Sequence, residues 1–323
     1  MTTSTATTQT APNDDTTPSP SANLPPPSDP YTSALASLQQ NGFVILPATL
    51  FPTFDLPTLR DAATHLTHLA RTSQWPYLRT LPKQFPPWPS DPSNGIWGVQ
   101  HLLHPSNPHA ATFAKSYFDP ELLKYAQVLI GCEEEELVME LYNMLVRPDA
   151  AFALRWHRDD IPASASAEEE LERLVKKEAF HAQWNLALYE DESLVVVPGS
   201  HRRARTEEER SADPFEDDMP GQLVVRLKAG EVVFYDNNIL HRGVYDPDKE
   251  RMTLHGSVGS CKKGAGKERA RNVLQHGVGS WVGEVDFRKW VGGEIGERAE
   301  RMRERLVRLG RESGEVGFFS KDE

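Results

Sequence analysis

The chain has 323 residues, 38% hydrophobic and 25% charged, an ordinary globular composition that excludes collagen-like, mucin-like and coiled-coil architectures. Lys and Arg number 35 against 47 Asp and Glu, a net charge of −12, so nothing draws the chain as a whole toward phosphate backbones or anionic lipid, and no nucleic-acid partner is expected. Its two cysteines, Cys132 and Cys261, lie far apart and build neither a disulfide scaffold nor a zinc knuckle. A folded body of roughly 290 residues needs no metal to hold its core, so any metal would be there for chemistry.

Residues 1 to about 30 are rich in Thr, Ser and Pro, including Pro25-Pro26-Pro27, and read as a disordered tail. They carry no Arg or Lys, they lack the apolar run of a signal peptide, and the sequence ends Lys321-Asp322-Glu323 rather than Ser-Lys-Leu. With no run long enough to span a bilayer, the expectation is a cytoplasmic protein without a membrane partner.

A short helical pattern through Leu35 and Leu38 meets Asn41-Gly42, then Phe43-Val44-Ile45-Leu46 reads as a buried strand ended by Pro47. Residues 57–73 give a helix with Leu59, Ala63, Leu66 and Ala70 on one side. From about 75 to 110 the density of Pro and Trp reads as one long loop of the kind that lines sites. A helix over 120–130 precedes strand-like runs at 137–147, 152–157, 182–188, 193–197, 222–227, 231–235 and 251–258, a pattern that fits an antiparallel barrel or sandwich. The insert at 164–178 and the acidic loop at 206–220 read as surface excursions. Residues 285–312 read as a helix on the outside of the body, its stripe Met302, Leu306 and Leu309, with Glu294/Arg298, Glu297/Arg301 and Glu304/Arg308 at i,i+4 spacing.

The sharpest local signal is Trp156-His157-Arg158-Asp159-Asp160. Residues two apart on an extended strand share a face, so His157 and Asp159 can reach one metal. His-x-Asp alone occurs by chance in many chains. Here a later strand-like segment runs through Phe234 and Tyr235 to His241, and Arg251-Met252-Thr253 then puts a permanent cation and a hydroxyl on one face. Two imidazoles and one carboxylate on one side of an iron ion leave adjacent positions for a chelating co-substrate and O2. An Arg nearby can hold the distal carboxylate of 2-oxoglutarate bidentately, with a hydroxyl adding a hydrogen bond.

With these residues, the strand Trp184-Asn185-Leu186-Ala187-Leu188 and the run from Ser193 through Pro198-Gly199-Ser200-His201, the chain resembles the phytanoyl-CoA dioxygenase family of Fe(II)- and 2-oxoglutarate-dependent oxygenases over roughly residues 35–262. The resemblance implies a mainly β fold with flanking helices, a double-stranded β-helix (jelly-roll, cupin-like) barrel with the metal in its mouth. With the tail and the C-terminal helix read from composition and pattern outside that resemblance, the chain divides into the tail at 1–30, an oxygenase domain at 31–284 with a helical N-terminal part, and a C-terminal helix at 285–323 packed on that domain. It implies His157, Asp159 and His241 as Fe(II) ligands, Arg251 as the 2-oxoglutarate anchor, Thr253 as its helper, and Asn143, Trp184 and Gln100 as co-substrate or pocket contacts. The activity implied is oxidation of a small-molecule substrate by O2 with release of succinate and CO2, hydroxylation being favoured over desaturation or ring chemistry. The family's Gly before the Leu of the central strand is Ser193 here.

Other residues have two readings. His255 is the alternative distal ligand, disfavoured because it follows Arg251 on the same strand. His101 and His181 face the pocket or the core, Trp156, Tyr142 and Trp184 are pocket walls or core, and Asp160 orients a ligand or turns the chain. His201, in the Pro-Gly-Ser-His turn, reads as a loop hydrogen-bonding residue, and His65, His68, His104, His109 and His276 have no paired carboxylate spacing. His201-Arg202-Arg203 with Arg205 is the local cluster that could meet a CoA phosphate. A rival from another class is a noncatalytic β-barrel of the same fold that only captures a small molecule. The sequence names neither the substrate nor the oligomeric state.

Overall fold

The computed structural model describes residues 29–176, 181–261, 266–274 and 276–314. The expected tail therefore lies outside the described residues as far as residue 28, as do residues 315–323. α1 (Pro30–Asn41) starts where the Asp29 carboxylate accepts from Thr32 N at 3.1 Å, and it stops at Gly42, whose φ of +84° suits only a residue without a side chain. β1 (Phe43–Leu46) follows. Asp55 caps α2 (Leu56–Arg71) through Thr58 N at 3.2 Å, and the stripe Leu59, Ala63, Leu66 and Ala70 is buried.

The Pro/Trp-rich stretch is not wholly loop. It contributes β2 (Leu78–Thr80) and β3 (Ile96–Val99), and the prolines that hide them fall between the two strands rather than within them. α3 (Ala110–Tyr117) comes next, and Asp119-Pro120 starts α4 (Pro120–Ile130), with Leu122 N donating to Asp119 at 2.9 Å.

The remaining elements are β4 (Leu137–Val146), β5 (Phe152–Ala153), α5 (Ala167–Lys176), β6 (His181–Ala187), β7 (Asp191–Val197), α6 (Glu207–Ser211), β8 (Leu223–Leu227), β9 (Val232–Tyr235), β10 (Leu240–Tyr245), β11 (Met252–Ser260), α7 (Gly266–Leu274), α8 (Arg288–Val291) and α9 (Gly293–Ser313). Two antiparallel sheets form, one in the order β1-β9-β6-β11-β4-β3-β2 and the other β5-β10-β7-β8. After β5 the chain passes repeatedly from one sheet to the other, which is the winding of a double-stranded β-helix.

Side-chain parity sorts the larger sheet. On β6, Ala182, Trp184 and Leu186 join the main apolar core with α2, α3, α4 and α9, while Gln183 and Asn185 turn into the barrel. On β11, Met252, Leu254 and Val258 go to the same core, while His255, Ser257 and, just before the strand, Arg251 turn inward. The barrel interior is therefore polar where the helix-covered face is apolar.

The C-terminal helix starts at Gly293 rather than 285. Met302 and Leu306 are fully buried on it, as expected of the stripe. Arg298 and Arg301 do not pair along the helix; both reach Glu134 before β4, at 2.9 and 2.7 Å. No described helix is long and apolar enough to cross a membrane.

The two excursions clamp each other. Glu170 of α5 is fully buried and accepts from Arg205 N at 2.7 Å and from Arg205 Nε and Arg210 Nη2, both at 2.5 Å. Arg203 is held by Glu209 at 2.6 and 2.7 Å, and His201 Nε2 meets Gln39 O at 3.1 Å. Of the cluster expected to be able to meet a CoA phosphate, His201, Arg203 and Arg205 are thus occupied by internal partners, and Arg202 is exposed. Replacing Glu170 by Ala leaves this cationic group without its shared acceptor, so urea unfolding is expected to show a loss of about 3–5 kcal/mol. Glu192→Ala, which removes only exposed pairs with Arg226 and Lys249, is expected to leave the unfolding midpoint nearly unchanged.

Candidate metal centre

The centre is built on one backbone pairing. His157 N donates to His241 O and His241 N to His157 O, each at 3.0 Å, an antiparallel bridge between the segment after β5 and the start of β10. Directly opposed residues project on one face, and the imidazole centroids lie 4.3 Å apart. Asp159 follows two residues on, its N donating to Asn237 O at 2.8 Å. One carboxylate oxygen, Oδ1, lies 3.6 Å from His157 Nε2 and 3.9 Å from His241 Nε2. Three donor atoms, one from each residue, fall within 4.8 Å of one another, and this is the one such cluster among the described residues.

Each imidazole donates its Nδ1–H to a carbonyl two residues back, His157 to Arg155 O and His241 to Ile239 O, both at 2.8 Å. The tautomer is thereby set, with the Nε2 lone pair left for the cluster. The separations from Asp159 are too long for hydrogen bonds and short enough for a shared ion. Gln183 Nε2 donates to the other Asp159 oxygen at 3.1 Å and orients the carboxylate.

Arg158, between the two ligand positions, points the other way. It is buried, donating to Ser200 O at 2.9 Å, to Arg203 O at 3.1 Å and to Asn238 O, with Glu170 3.7 Å from its Nε. Burial pulls its pKa down to about 10, with Glu170 opposing, so it remains a cation and nails the ligand segment to the neighbouring loops.

Two cavities flank the cluster. The smaller, of about 100 Å³, contains His157, Asp159 and His241 together with Asn185, Tyr245, Arg251 and His255 in its walls. Arg251 is buried, its guanidinium carbon 4.3 Å from the centre of the Tyr245 ring and its Nε 3.4 Å from Asp191 Oδ2. Burial opposes its charge, and Asp191 and Tyr245 more than offset that. Its Nη1 is buried without a partner. The larger cavity, of about 190 Å³, meets the cluster at His157 and Asp159 and extends to Arg79, Glu140, Gln183 and Arg269.

The helper position is different from expectation. Thr253 Oγ1 donates to Asp191 Oδ2 at 2.6 Å and receives Arg251 Nε at 3.4 Å, so it braces Arg251 from behind and lines neither cavity. Trp184 is fully buried in the core against Tyr117, Tyr142 and Phe234; parity gives the inward positions to its neighbours Gln183 and Asn185. Asn143 is opposite His255 and lines neither cavity; its Oδ1 accepts His101 N at 3.0 Å, where the chain turns through a φ of +63°, and its Nδ2 is buried without a partner. Gln100 lines neither cavity, and its carbonyl accepts Trp75 Nε1 at 3.0 Å.

His255 is not in the cluster. It meets Asn185 Oδ1 through Nδ1 at 2.9 Å, and burial, with Arg79 adding to the effect, pushes its pKa down to about 3. His101 belongs to the core, accepting from Trp281 Nε1 at 3.0 Å, whereas His181 faces the larger cavity. Trp156 packs with Val195, Val197, Met219 and Leu240 and Tyr142 in the main core, while Asp160 accepts from Asn237 Nδ2. Ser193 explains its own departure from the family pattern, since its N donates to Asp191 Oδ1 at 2.9 Å and its hydroxyl donates to the same oxygen. Residues unnoticed in the sequence are Gln183, Asn185, Asp191 and Arg158, for which the available signal was polarity at alternate positions of apolar strands.

Residues 38–244 match the family described as phytanoyl-CoA dioxygenase (PhyH). No curated protein matches the chain in sequence. Among solved structures, EctD from S. alaskensis with 2-oxoglutarate and 5-hydroxyectoine is similar with a TM-score of 0.50 and 20% identity, over 70% of this chain and 74% of that one. EvdMO1 is similar with a TM-score of 0.50 and 18% identity, over 72% of this chain and 50% of that one. At such identities the likeness establishes the fold alone.

One wall of the larger cavity holds a buried ion pair. Glu140 accepts from Arg269 Nε at 2.7 Å and meets His181 Nδ1 at 3.0 Å. Burial alone raises its pKa, but Arg269 and His181 outweigh burial and hold it at about 2. A depressed carboxyl pKa contributes stability that is complete above the ordinary value of 4.5 and drains away as the pH falls toward 2. Thermal unfolding followed from pH 6 to pH 2 is expected to show a steeper acid loss for the native chain than for Glu140→Gln.

Proposed function

The chain belongs to the phytanoyl-CoA dioxygenase (PhyH) family, and from that premise we propose that it is an Fe(II)- and 2-oxoglutarate-dependent dioxygenase that hydroxylates a small organic molecule, converting R–H, O2 and 2-oxoglutarate to R–OH, succinate and CO2. The observation that carries the reading is the pairing of His157 with His241, both Nε2 lone pairs freed by Nδ1 hydrogen bonds, beside the Asp159 carboxylate. That donor set suits ferrous iron. Ferrous iron, when bound, supplies the activation of O2 and of the 2-oxo acid.

The protein's own groups hold, orient and exclude. His157, Asp159 and His241 hold the ion, and Gln183 fixes the carboxylate. Arg251 binds the distal carboxylate of 2-oxoglutarate, and its buried, unpartnered Nη1 supports that role, because a guanidinium already tied to Asp191 through Nε keeps another edge for a ligand. Thr253 and Asp191 set the angle of Arg251. Phe85 packs its ring 5.6 Å from that of His157 and restricts water on that side.

His157→Ala and Asp159→Ala are expected to abolish 2-oxoglutarate-dependent succinate formation while leaving the far-ultraviolet circular dichroism unchanged. Arg251→Ala is expected to raise the half-saturating 2-oxoglutarate concentration by about tenfold or more with iron still bound. Anaerobic Fe(II) with 2-oxoglutarate is expected to give the native chain a weak visible charge-transfer band. A noncatalytic binder of the same fold would give none, and an Asp159→Ala chain that turned over at the native rate would remove the triad from the chemistry.

A further inference from the structure

Arg79 stands apart among the cations on the cavity walls. Arg251 is answered by Asp191 and Arg269 by Glu140. Arg79 borders both cavities, yet among the described residues its side chain has no ion pair or hydrogen bond, and its Nε is buried without a partner. Its position is built rather than incidental. A Cβ on Gly98 of the neighbouring strand would lie 2.9 Å from Arg79 Cδ, so the bare glycine lets the side chain cross the sheet. Trp88 and Trp97 then hold the guanidinium, its carbon 5.1 and 5.2 Å from their ring centres. Aromatic faces steady a cation without using its N–H groups.

No acid among the described residues of these walls is free to serve it. Glu140 is taken by Arg269 and Asp160 accepts from Asn237, and Asp159 belongs to the metal donor set. Burial pushes the Arg79 pKa down, and Tyr245, Tyr235 and Asp159 offset it only in part, so a cation in that setting is costly. A ligand that brings the missing anion removes the cost.

We propose that Arg79 binds a carboxylate of the primary substrate, which is therefore a small organic acid seated in the larger cavity. The inference rests on the oxygenase reading, in which Arg251 takes the distal carboxylate of 2-oxoglutarate and leaves Arg79 for the substrate. A planar monoanion matches one guanidinium fork, whereas a phosphate dianion would find no second unpaired guanidinium among the described residues of these walls and would face Glu140 and Asp160 there. An ester, thioester or amide in place of the acid lacks the charge that Arg79 requires.

The experiment uses the whole chain and a panel of amino acids and aliphatic and aromatic monocarboxylic acids, each matched by its primary amide. Two readouts are taken: displacement of the charge-transfer band of the anaerobic Fe(II)/2-oxoglutarate complex, and thermal stabilisation of the metal-free chain. The expected result is at least one acid that acts in both assays where its amide does not. Arg79→Gln should weaken that acid by about tenfold or more and Arg79→Lys by less, with 2-oxoglutarate affinity changed by less than about twofold in either. Acids and amides responding alike, no acid binding the native chain, or an equal loss of 2-oxoglutarate affinity in Arg79→Gln would each overturn the proposal. A native chain that lacks the charge-transfer band but still binds an acid through Arg79 would overturn the oxygenase reading and leave this one standing.

Discussion

Two backbone hydrogen bonds between His157 and His241 govern the rest of the centre. Their pairing puts both imidazoles on one face at a distance set by strand geometry rather than by flexible side chains. A shift of one residue on either side would send a ligand outward and bring Arg158 or Arg242 into the cavity. The register is secured from behind. Arg158 occupies the opposite face and ties the ligand segment to carbonyls at 200, 203 and 238, and Glu170 ties Arg158 to the two excursions. The ionic cluster on the outside and the metal centre on the inside are thus two faces of one three-residue stretch, which couples folding of the excursions to the geometry of the ligands.

Among the described residues, two of the three guanidinium groups on the cavity walls are answered by a carboxylate. Asp191 answers Arg251 and Glu140 answers Arg269, while the Asp160 carboxylate accepts from the neutral amide of Asn237. Each pair also spans elements: Asp191 joins β7 to β11, Glu140 joins β4 to α7, and Asn237 joins the β9–β10 turn to the ligand segment. These groups therefore fix the shape of the cavities as well as their charge. Because Arg251 and Arg269 are answered on the same walls, the remaining guanidinium of Arg79 carries information about what the cavity receives.

Much of this was legible in the sequence where a residue's chemistry and its position agree. Asp-Pro and Asp-x-Pro starts marked three helices, since a carboxylate cap and a proline in the first turn satisfy the same exposed backbone. The His157/Asp159/His241/Arg251 spacing was legible because few other arrangements need those four residue types together. What stayed hidden was orientation. Trp184 attracts notice as an aromatic residue, yet the pleat sends it into the helix-covered core and turns the plainer Gln183 and Asn185 to the site. Thr253 lies beside Arg251 as expected, but a hydroxyl that close to Asp191 bonds the acid. β10 escaped as a strand of its own because the segment through Phe234 and Tyr235 reads as one strand ending at His241, and His-Arg-Gly offers no apolar alternation, although pairing with β7 makes Leu240–Tyr245 a separate strand. The C-terminal arginines suggested pairs along their own helix because a sequence shows i,i+4 neighbours and conceals Glu134, which lies more than 160 residues away.

One irregularity shows how far local parity can be trusted. Along β4 and β11, Tyr142 opposes Gly256 and Met139 opposes Val258, so Glu140 and Leu141 together oppose the single residue Ser257. This is a β-bulge, and it allows both of its residues to line the larger cavity. A strict alternation counted from Tyr142, which is in the core, would put Glu140 in the core as well. The bulge brings its carboxylate to the cavity wall instead, where Arg269 and His181 are. Gly259 makes room there, since a Cβ at that position would collide with Glu140 Oε1. The polar wall opposite the metal ligands thus depends on one extra residue in β4 and one missing side chain in β11, neither of which leaves a mark in composition or periodicity.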